Sequence, residues 1–390
     1  MVSRRRMAWT FFLIGLTSYG GPAIVAQIRR MIVLKKRWVT EEEFQETLAF
    51  CQTLPGPIAV QTAAHIGWRL YGGLGAALAE VFYILPTFAF MLGLSAAYFR
   101  FEHLPLVGAV FTGLGAVVVG IVADSIVSMA QSSLKDWRGL LICCAAAAGF
   151  FSHVNILIVL AGAAAAGILL APIGSGASGP EEASAKTGNR NSAGLKSGLA
   201  LAGAAAGFLV LIFLSRFVSP HFSDLGAVMA KINLLSFGGG YTAIALMYHQ
   251  VVISHAWIGA KEFIDGLALS QITPGPVSIA ATFIGYRVAG LSGALFATLC
   301  MYVPSALLLV FLAPHFAKIR RHAFVQRMVR GLLAAFIAML FLVLWKVAAA
   351  SLGGFGTLVM AVLAFAALRL RIDPAWVILA AVVVSVVFLA

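Results

Sequence analysis

Gln52-Thr53-Leu54-Pro55-Gly56-Pro57 lies inside an apolar stretch, and its pattern returns as Gln271-Ile272-Thr273-Pro274-Gly275-Pro276. Proline inside a helix removes a hydrogen-bond donor and strikes the preceding turn, at a cost of about 3 kcal/mol or more. Two prolines around a glycine therefore predict a broken helix, and they predict it twice. Further landmarks recur in the same order on either side. Ser18-Tyr19-Gly20-Gly21-Pro22 is matched by Ser236-Phe237-Gly238-Gly239-Gly240, and Glu43-Phe44-Gln45-Glu46 by Glu262-Phe263-Ile264-Asp265. Gly67-Trp68-Arg69 is matched by Gly285-Tyr286-Arg287, and Pro86 by Pro304. A duplication this long, with glycine and proline interrupting apolar segments, marks a secondary transporter built from two related halves.

The composition agrees. Hydrophobic residues make up 61% of the 390 positions and charged residues 11%, whereas soluble domains carry about 25% charged residues. Mean hydropathy is +0.98. So much apolar surface cannot be hidden in one aqueous core. The expected class is an all-α polytopic membrane protein, because hydrocarbon tolerates no unpaired backbone and the runs are continuous rather than alternating. The net charge of +13 is read as basic cytoplasmic loops rather than a nucleic-acid surface. Cys51, Cys143, Cys144 and Cys300 all sit in apolar segments without a Cys-x-x-Cys pair, so inert thiols are expected.

The chain divides into a first repeat (1–172), a polar linker (173–198), an extra connecting membrane segment (199–223) and a second repeat (224–390). Membrane segments are expected near 8–32, 43–68, 73–99, 104–131, 138–151 and 153–172. After the extra segment they follow near 224–253, 262–285, 290–316, 323–350, 352–368 and 374–390. That is about 13 in all, and the odd segment between the repeats inverts the second relative to the first. Arg4 to Arg6, Lys135, Arg138, Lys186, Arg190, Lys196, Lys318, Arg320, Arg321, Arg369 and Arg371 then share the cytoplasmic side. Arg29, Arg30, Lys35, Lys36 and Arg37 break the pattern. Either segment 8–32 is a re-entrant hairpin or these charges form a basic vestibule.

The breaks are the candidate binding site. A half-helix beginning near Pro57 or Pro276 directs free N–H groups and the positive end of its dipole into the membrane interior, which favours an anion. Gly20, Gly21, Pro22, Gly238, Gly239 and Gly240 allow close approach of backbone to a ligand. Gln52 and Gln271, three residues before their prolines, can donate from the edge of each break; Gln61, Thr62 and Ser278 could add donors. Arg69 and Arg287 offer bidentate oxyanion contacts, with snorkelling as the competing use. Glu46, Asp265 and Glu80 are candidates for proton coupling, and Asp124 is a further carboxylate in an apolar run. Structural ion pairs with Arg69, Arg287, Lys231 or Lys346 are the alternative. His65, whose counterpart is Phe283, reads as a packed histidine. The sequence carries no metal-ligand spacing, nucleotide loop or nucleophile elbow, so no cofactor is expected.

Together, the paired Phe/Tyr-Gly-Gly and Gln-x-x-Pro-Gly-Pro elements followed by Gly-x-Arg resemble the chromate ion transporter (CHR) family over nearly the whole chain. The resemblance implies a long-chain, two-domain carrier in the bacterial inner membrane that expels chromate and confers chromate resistance. Gly240 replaces the proline found at Pro22, which implies a softer first break in the second half and half-sites that need not be equivalent. The expected partners are a chromate or sulfate dianion and the lipid bilayer. A homodimer is compatible with such carriers, but no residue argues for it. A sulfate carrier of the same build and a passive anion channel are the rival readings. A chromate reductase would need redox cysteines or a cofactor motif.

Overall fold

The computed structural model describes residues 2–19, 21–152, 154–170, 194–315 and 323–388. Most of the expected linker (173–193) and the break residue Gly20 lie outside them. The first repeat contains α1 (Arg4–Thr17), α2 (Gly21–Arg29), α3 (Glu41–Cys51), α4 (Ile58–Phe101), α5 (Pro105–Ser133), α6 (Trp137–Phe151) and α7 (Ile156–Leu170). The connecting helix α8 (Gly194–Val218) begins inside the range expected for the linker. The second repeat contains α9 (Pro220–Leu235), α10 (Gly240–Met247), α11 (Ala260–Ile272), α12 (Ala280–Leu312), α13 (Ala323–Ser351), α14 (Phe355–Arg369) and α15 (Pro374–Phe388). The element order thus repeats. A π-helical turn extends α2 through Arg30–Lys35 and α10 through Tyr248–Ser254, a distortion common at functional sites. No strand occurs among the described residues.

Segments 43–68 and 262–285 do not pass straight through as expected; each folds back on itself. Arg69 pairs with Glu43, and His65 Nδ1 lies 3.0 Å from Thr47 Oγ1. Residue numbers fall along one helix as they rise along the other, so α3 and the start of α4 are antiparallel legs of a hairpin. In the second half Arg287 pairs with Glu262, and Gly266 packs on the Phe283 ring. The break explains the reversal. It leaves α3 at Cys51, and Pro57 permits a new helix in any direction the intervening glycine allows. Gly56 and Gly275 have φ of 113° and 111°, a conformation essentially reserved for glycine.

Each returning leg is short. α4 reverses again at Tyr71–Gly72 and α12 at Ala289–Gly290, with near-identical glycine angles (φ 65°, ψ −151° and φ 60°, ψ −146°). Gly67 and Gly285 then lie against Gly75 and Gly293 across these turns. The long legs, 73–101 of α4 and 291–312 of α12, run side by side in opposite directions, since Gly73 meets Val310 and Tyr83 neighbours Tyr302.

The basic cluster that broke the charge pattern follows α1 and α2. The Arg4 guanidinium stacks 5.5 Å from the Tyr71 ring, at the turn beside Arg69. At the other end of the α1–α2 pair, Arg29 binds Glu41 at 2.8 Å, at the base of the same hairpin. Both ends of segment 8–32 therefore reach one face. α1 and α2 thus form a helical hairpin, the geometry that the re-entrant alternative requires. The Arg29–Glu41 pair raises the guanidinium's pKa and lowers the carboxyl's, chiefly through their hydrogen bond.

The halves interlock. In the first half α5 packs against α14 and α15, with Gly113 against Ser385 and Gly120 against Ala361; α13 packs against α6 and α7, with Gly331 on Ala163. Small residues at these crossings let the helix backbones approach closely, as helices in lipid require. Four helical stretches among the described residues are long and apolar enough to cross a membrane: Ile58–Phe101, Pro105–Ser133, Val277–His315 and Ala323–Ser351. Trp345, Phe217 and Leu169 are among many large apolar side chains exposed outward. That surface is unstable in water and natural in lipid. The chain is a polytopic, all-helical membrane protein.

Candidate functional site

The hairpin tips cross between halves. Gly56 N–H donates to Ser236 O at 2.8 Å, and Pro55 forms a bridge with Phe237, so the first tip is seated on the α9–α10 break. Gly275 N–H donates to Ser18 O at 2.7 Å, seating the second tip beside the α1–α2 break. Gly239 and Gly240 face Ile58 and Val277, the residues that open the two returning legs. Gly238 and Gly239 are also left-handed, with φ of 89° and 110°. Three of the four breaks predicted from sequence thus meet directly; the fourth is represented by Ser18, beside Gly20.

Each tip also touches the long leg of the other half, just past its proline. Gly56 lies on Ser305, which follows Pro304, and Gly275 lies on Thr87, which follows Pro86. Pro304 disturbs the local helix bonding, and Asn233 from α9 substitutes: Ser305 N–H donates to Asn233 Oδ1 at 2.8 Å, while Asn233 Nδ2 donates to Ser305 Oγ at 3.1 Å. Thr87 and Ser305 lie on opposite sides of the Tyr83–Tyr302 level. At 1.5 Å per residue, each tip stops roughly 5 Å from it. Two helix N-termini therefore approach one middle layer from opposite directions. Each carries about +0.5 elementary charge.

That layer is polar. Tyr83 OH and Thr87 Oγ1 are buried without a hydrogen-bond partner, and so, on the hairpin legs near the tips, are the acceptor Gln61 Oε1 and the donor Gln271 Nε2. Leaving such a group unsatisfied costs about 1–3 kcal/mol, and an unexplained cluster of them calls for a ligand or water. Tyr302 OH lies 3.0 Å from Ser278 Oγ, and Tyr302 neighbours Glu80, which is 6% exposed. Hydroxyl and amide donors beside two helix N-termini suit a compact oxyanion.

The other expected residues separate. Gln271 is buried at the tip, but Gln52 is exposed; Gln61 Nε2 donates to Pro55 O and fastens the first tip from within. Thr62 Oγ1 donates to its own helix at Ile58 O, 2.7 Å away. Arg69 and Arg287 are not at the breaks. Each ends a returning leg, roughly 18 Å from the tip by helix rise. Arg69 binds Glu43 at 2.9 Å and Glu46 at 3.4 Å; Arg287 binds Glu262 at 2.7 Å. They close the hairpin bases. Glu43 and Glu262 are what sequence reasoning missed there. Each also accepts a backbone N–H at the start of its helix, from Thr40 and Gly259, a capping signature readable as Thr40-x-x-Glu43. Thr87, Ser305, Tyr83 and Tyr302 were missed too, although a tyrosine precedes and a hydroxyl follows the proline in both halves. His65 is packed between Phe50 and Trp68, and Asp124 pairs with Arg369 at 3.5 Å.

The sequence pattern of the chromate transporter family matches residues 5–168 and, again, residues 223–386. A chromate transport protein of Cupriavidus metallidurans is 33% identical over 342 residues, covering 85% of this chain and 80% of its own. One of Pseudomonas aeruginosa is 32% identical over 336 residues, covering 82% and 76%. A probable chromate transport protein of Synechococcus elongatus is 31% identical over 341 residues, covering 85% and 81%. No solved structure matches the chain. The two family matches fall on the two sets of hairpins described above, and on that ground the chain belongs to the chromate transporter family.

Proposed function

We propose that this protein is a secondary active transporter that exports chromate by alternating access between two inverted halves. The observation that carries the reading is the middle layer, where two helix N-termini from different halves approach the buried, unpartnered hydroxyls of Tyr83 and Thr87, with the unpartnered amide of Gln271 about one turn before the second tip. Chromate is a tetrahedral dianion. The two N-termini supply about one positive charge between them, and each donor to an ionised acceptor adds about 1.5–3 kcal/mol. The substrate-binding set is then Gly20–Pro22, Pro55–Pro57, Gly238–Gly240 and Pro274–Pro276, with Gln271, Tyr83 and Thr87 as side-chain donors.

Inversion is supported by the antiparallel long legs of α4 and α12 and by hairpin tips that reach the middle from opposite faces. In this reading the bilayer is crossed by the long legs of α4 and α12, by α5 and α13, and by α8 between the halves. Arg4 to Arg6, Arg29, Arg30, Lys35, Lys36, Arg37, Lys135 and Arg138 then share one face, which the positive-inside rule assigns to the cytoplasm of a bacterial inner membrane. A dianion leaving a negative interior gains about 4.6 kcal/mol per 100 mV, so export requires no nucleotide.

The test is chromate flux into and out of proteoliposomes holding the purified protein, with and without excess sulfate. Chromate flux that sulfate leaves largely intact is expected. Sulfate moving at an equal rate would reassign the substrate to oxyanions in general, and no carrier-dependent flux of either would end the proposal. Tyr83→Phe, which removes one unpartnered hydroxyl, is expected to weaken chromate binding about tenfold or more, read by titration calorimetry. By contrast, Arg69→Gln or Arg287→Gln should cost about 1 kcal/mol of stability and leave chromate affinity unchanged, since these side chains close the hairpin bases.

A further inference from the structure

Glu46 and Asp265 occupy the same position of the repeat, yet the structure treats them differently. Glu46 is 30% exposed and joins Glu43 on Arg69. In the second half the arginine goes to Glu262 instead, and Asp265 is left without an ion pair among the described residues. It is 3% exposed and accepts a 2.7 Å hydrogen bond from Tyr98 OH. Tyr98 belongs to the long leg of α4, so this bond ties the base of the second hairpin to the first half. The phenol is held in place by Phe111 and Phe283, with ring centroids 4.9 and 5.3 Å away.

Asp265 also borders a cavity of about 310 Å³ between α4, α5, α11 and α12. Its charged lining is Glu102 just past the end of α4, Lys261 and Glu262 from α11, and Arg287 from α12; α5 presents Val107 and Phe111. The cavity sits at the base of the second hairpin, on the face opposite Arg4 to Arg6. Glu80, by contrast, stands in the middle layer, where its negative charge would compete with the anion itself.

Resting on the transport reading, we propose that Asp265 is the group that exchanges protons with the medium, through this cavity, and that the exchange belongs to the second half alone. Glu46 is a member of a structural ion pair. A hydronium ion from the cavity gives its proton to the Asp265 carboxylate and leaves as water. The neutral carboxyl is a weaker acceptor for Tyr98 O–H, so the tie between hairpin base and long leg loosens. Loss of the proton to the cavity restores it. On the outer face this device takes protons from the side that a respiring cell acidifies.

The experiment compares two readings on purified protein in liposomes: chromate-for-chromate exchange without a gradient, and chromate flux stimulated by a pH gradient. The wild type is expected to show both. Asp265→Asn should retain exchange and lose the stimulation; Glu46→Gln should retain both. Tyr98→Phe removes a donor to the charged form, so the pH midpoint of stimulation should rise by about one unit. A simple loss of packing would not move it. Stimulation that persists in Asp265→Asn, or an unmoved midpoint in Tyr98→Phe, overturns the assignment. If Asp265→Asn fails to fold, the Tyr98→Phe midpoint decides. Wild-type exchange without any pH stimulation sinks this inference alone, whereas no chromate exchange by the wild type sinks the transport reading beneath it.

Discussion

Replacing Pro55 and Pro57 together by alanine is expected to abolish chromate transport while the protein still reaches the membrane. Each alanine restores a backbone N–H, and a helix interior favours it over proline by about 3 kcal/mol. Roughly 6 kcal/mol then pushes α3 and α4 toward one continuous helix. That is comparable to the entire stability of many domains. The structure opposes it with the contacts of the folded-back hairpin: the Gly56 N–H bond to Ser236 O, the bridge to Phe237, Gln61 on Pro55 O, and the partly exposed Arg69–Glu43 pair at the base. Losing the turn removes one of the two helix N-termini from the middle layer. Circular dichroism should show a small gain in helix, and chromate resistance of cells carrying the variant should fall to that of cells without the protein. Flux within twofold of wild type would mean that the broken helix is not part of the site.

Gly275→Ala should be nearly as severe, for a different reason. At φ 111° an alanine costs about 1–3 kcal/mol in backbone strain. Its methyl group would also fall within the Thr87 side chain, adding an overpacking cost of about 1–3 kcal/mol. The sum predicts a flux reduced by about thirtyfold or more. The packing part is specific to one partner. Thr87→Ala, which lowers wild-type flux by removing a donor, should cost Gly275→Ala less than it costs the wild type, by relieving the clash, and give no such rescue to Gly56→Ala, whose methyl group meets Ser305 instead. A double-mutant cycle measures this coupling. Equal rescue of both glycine variants would show that the tips do not cross between halves as described.

How much of this was legible in the residues differs by feature. The breaks were, because proline and glycine state their backbone requirements locally. Their convergence was also legible, because a duplication with interruptions at matching places leaves few ways to bring them together. The reversal at each break was not. Pro55-Gly56-Pro57 ends one helix and starts another without stating the angle between them, and the evidence for a hairpin lies in pairs such as Glu43–Arg69 that become neighbours only on folding. The recurrence of Arg69 as Arg287 therefore did not say that both side chains stand at the hairpin bases, away from the breaks. Recurrence says that a geometry is reused, and here the reused geometry is the hairpin base. Thr87 and Ser305 were visible in outline, as hydroxyls following matched prolines. Their meaning depended on the opposite tip, 188 positions from Thr87 and 249 from Ser305. Glu46 and Asp265 looked interchangeable in sequence; the arginine taken by Glu46 and the Tyr98 hydroxyl brought to Asp265 from another helix tell them apart.

The transport reading requires that one oxyanion be held between the two hairpin tips. Equilibrium binding of chromate to the purified protein tests it without gradients or assumptions about direction. Titration calorimetry should find one chromate per chain in the wild type. Binding should be lost in Pro55→Ala/Pro57→Ala and in Pro274→Ala/Pro276→Ala alike, and kept in Arg69→Gln. Undiminished chromate affinity in both double-proline variants, each shown to be folded, would place the substrate elsewhere and contradict the account.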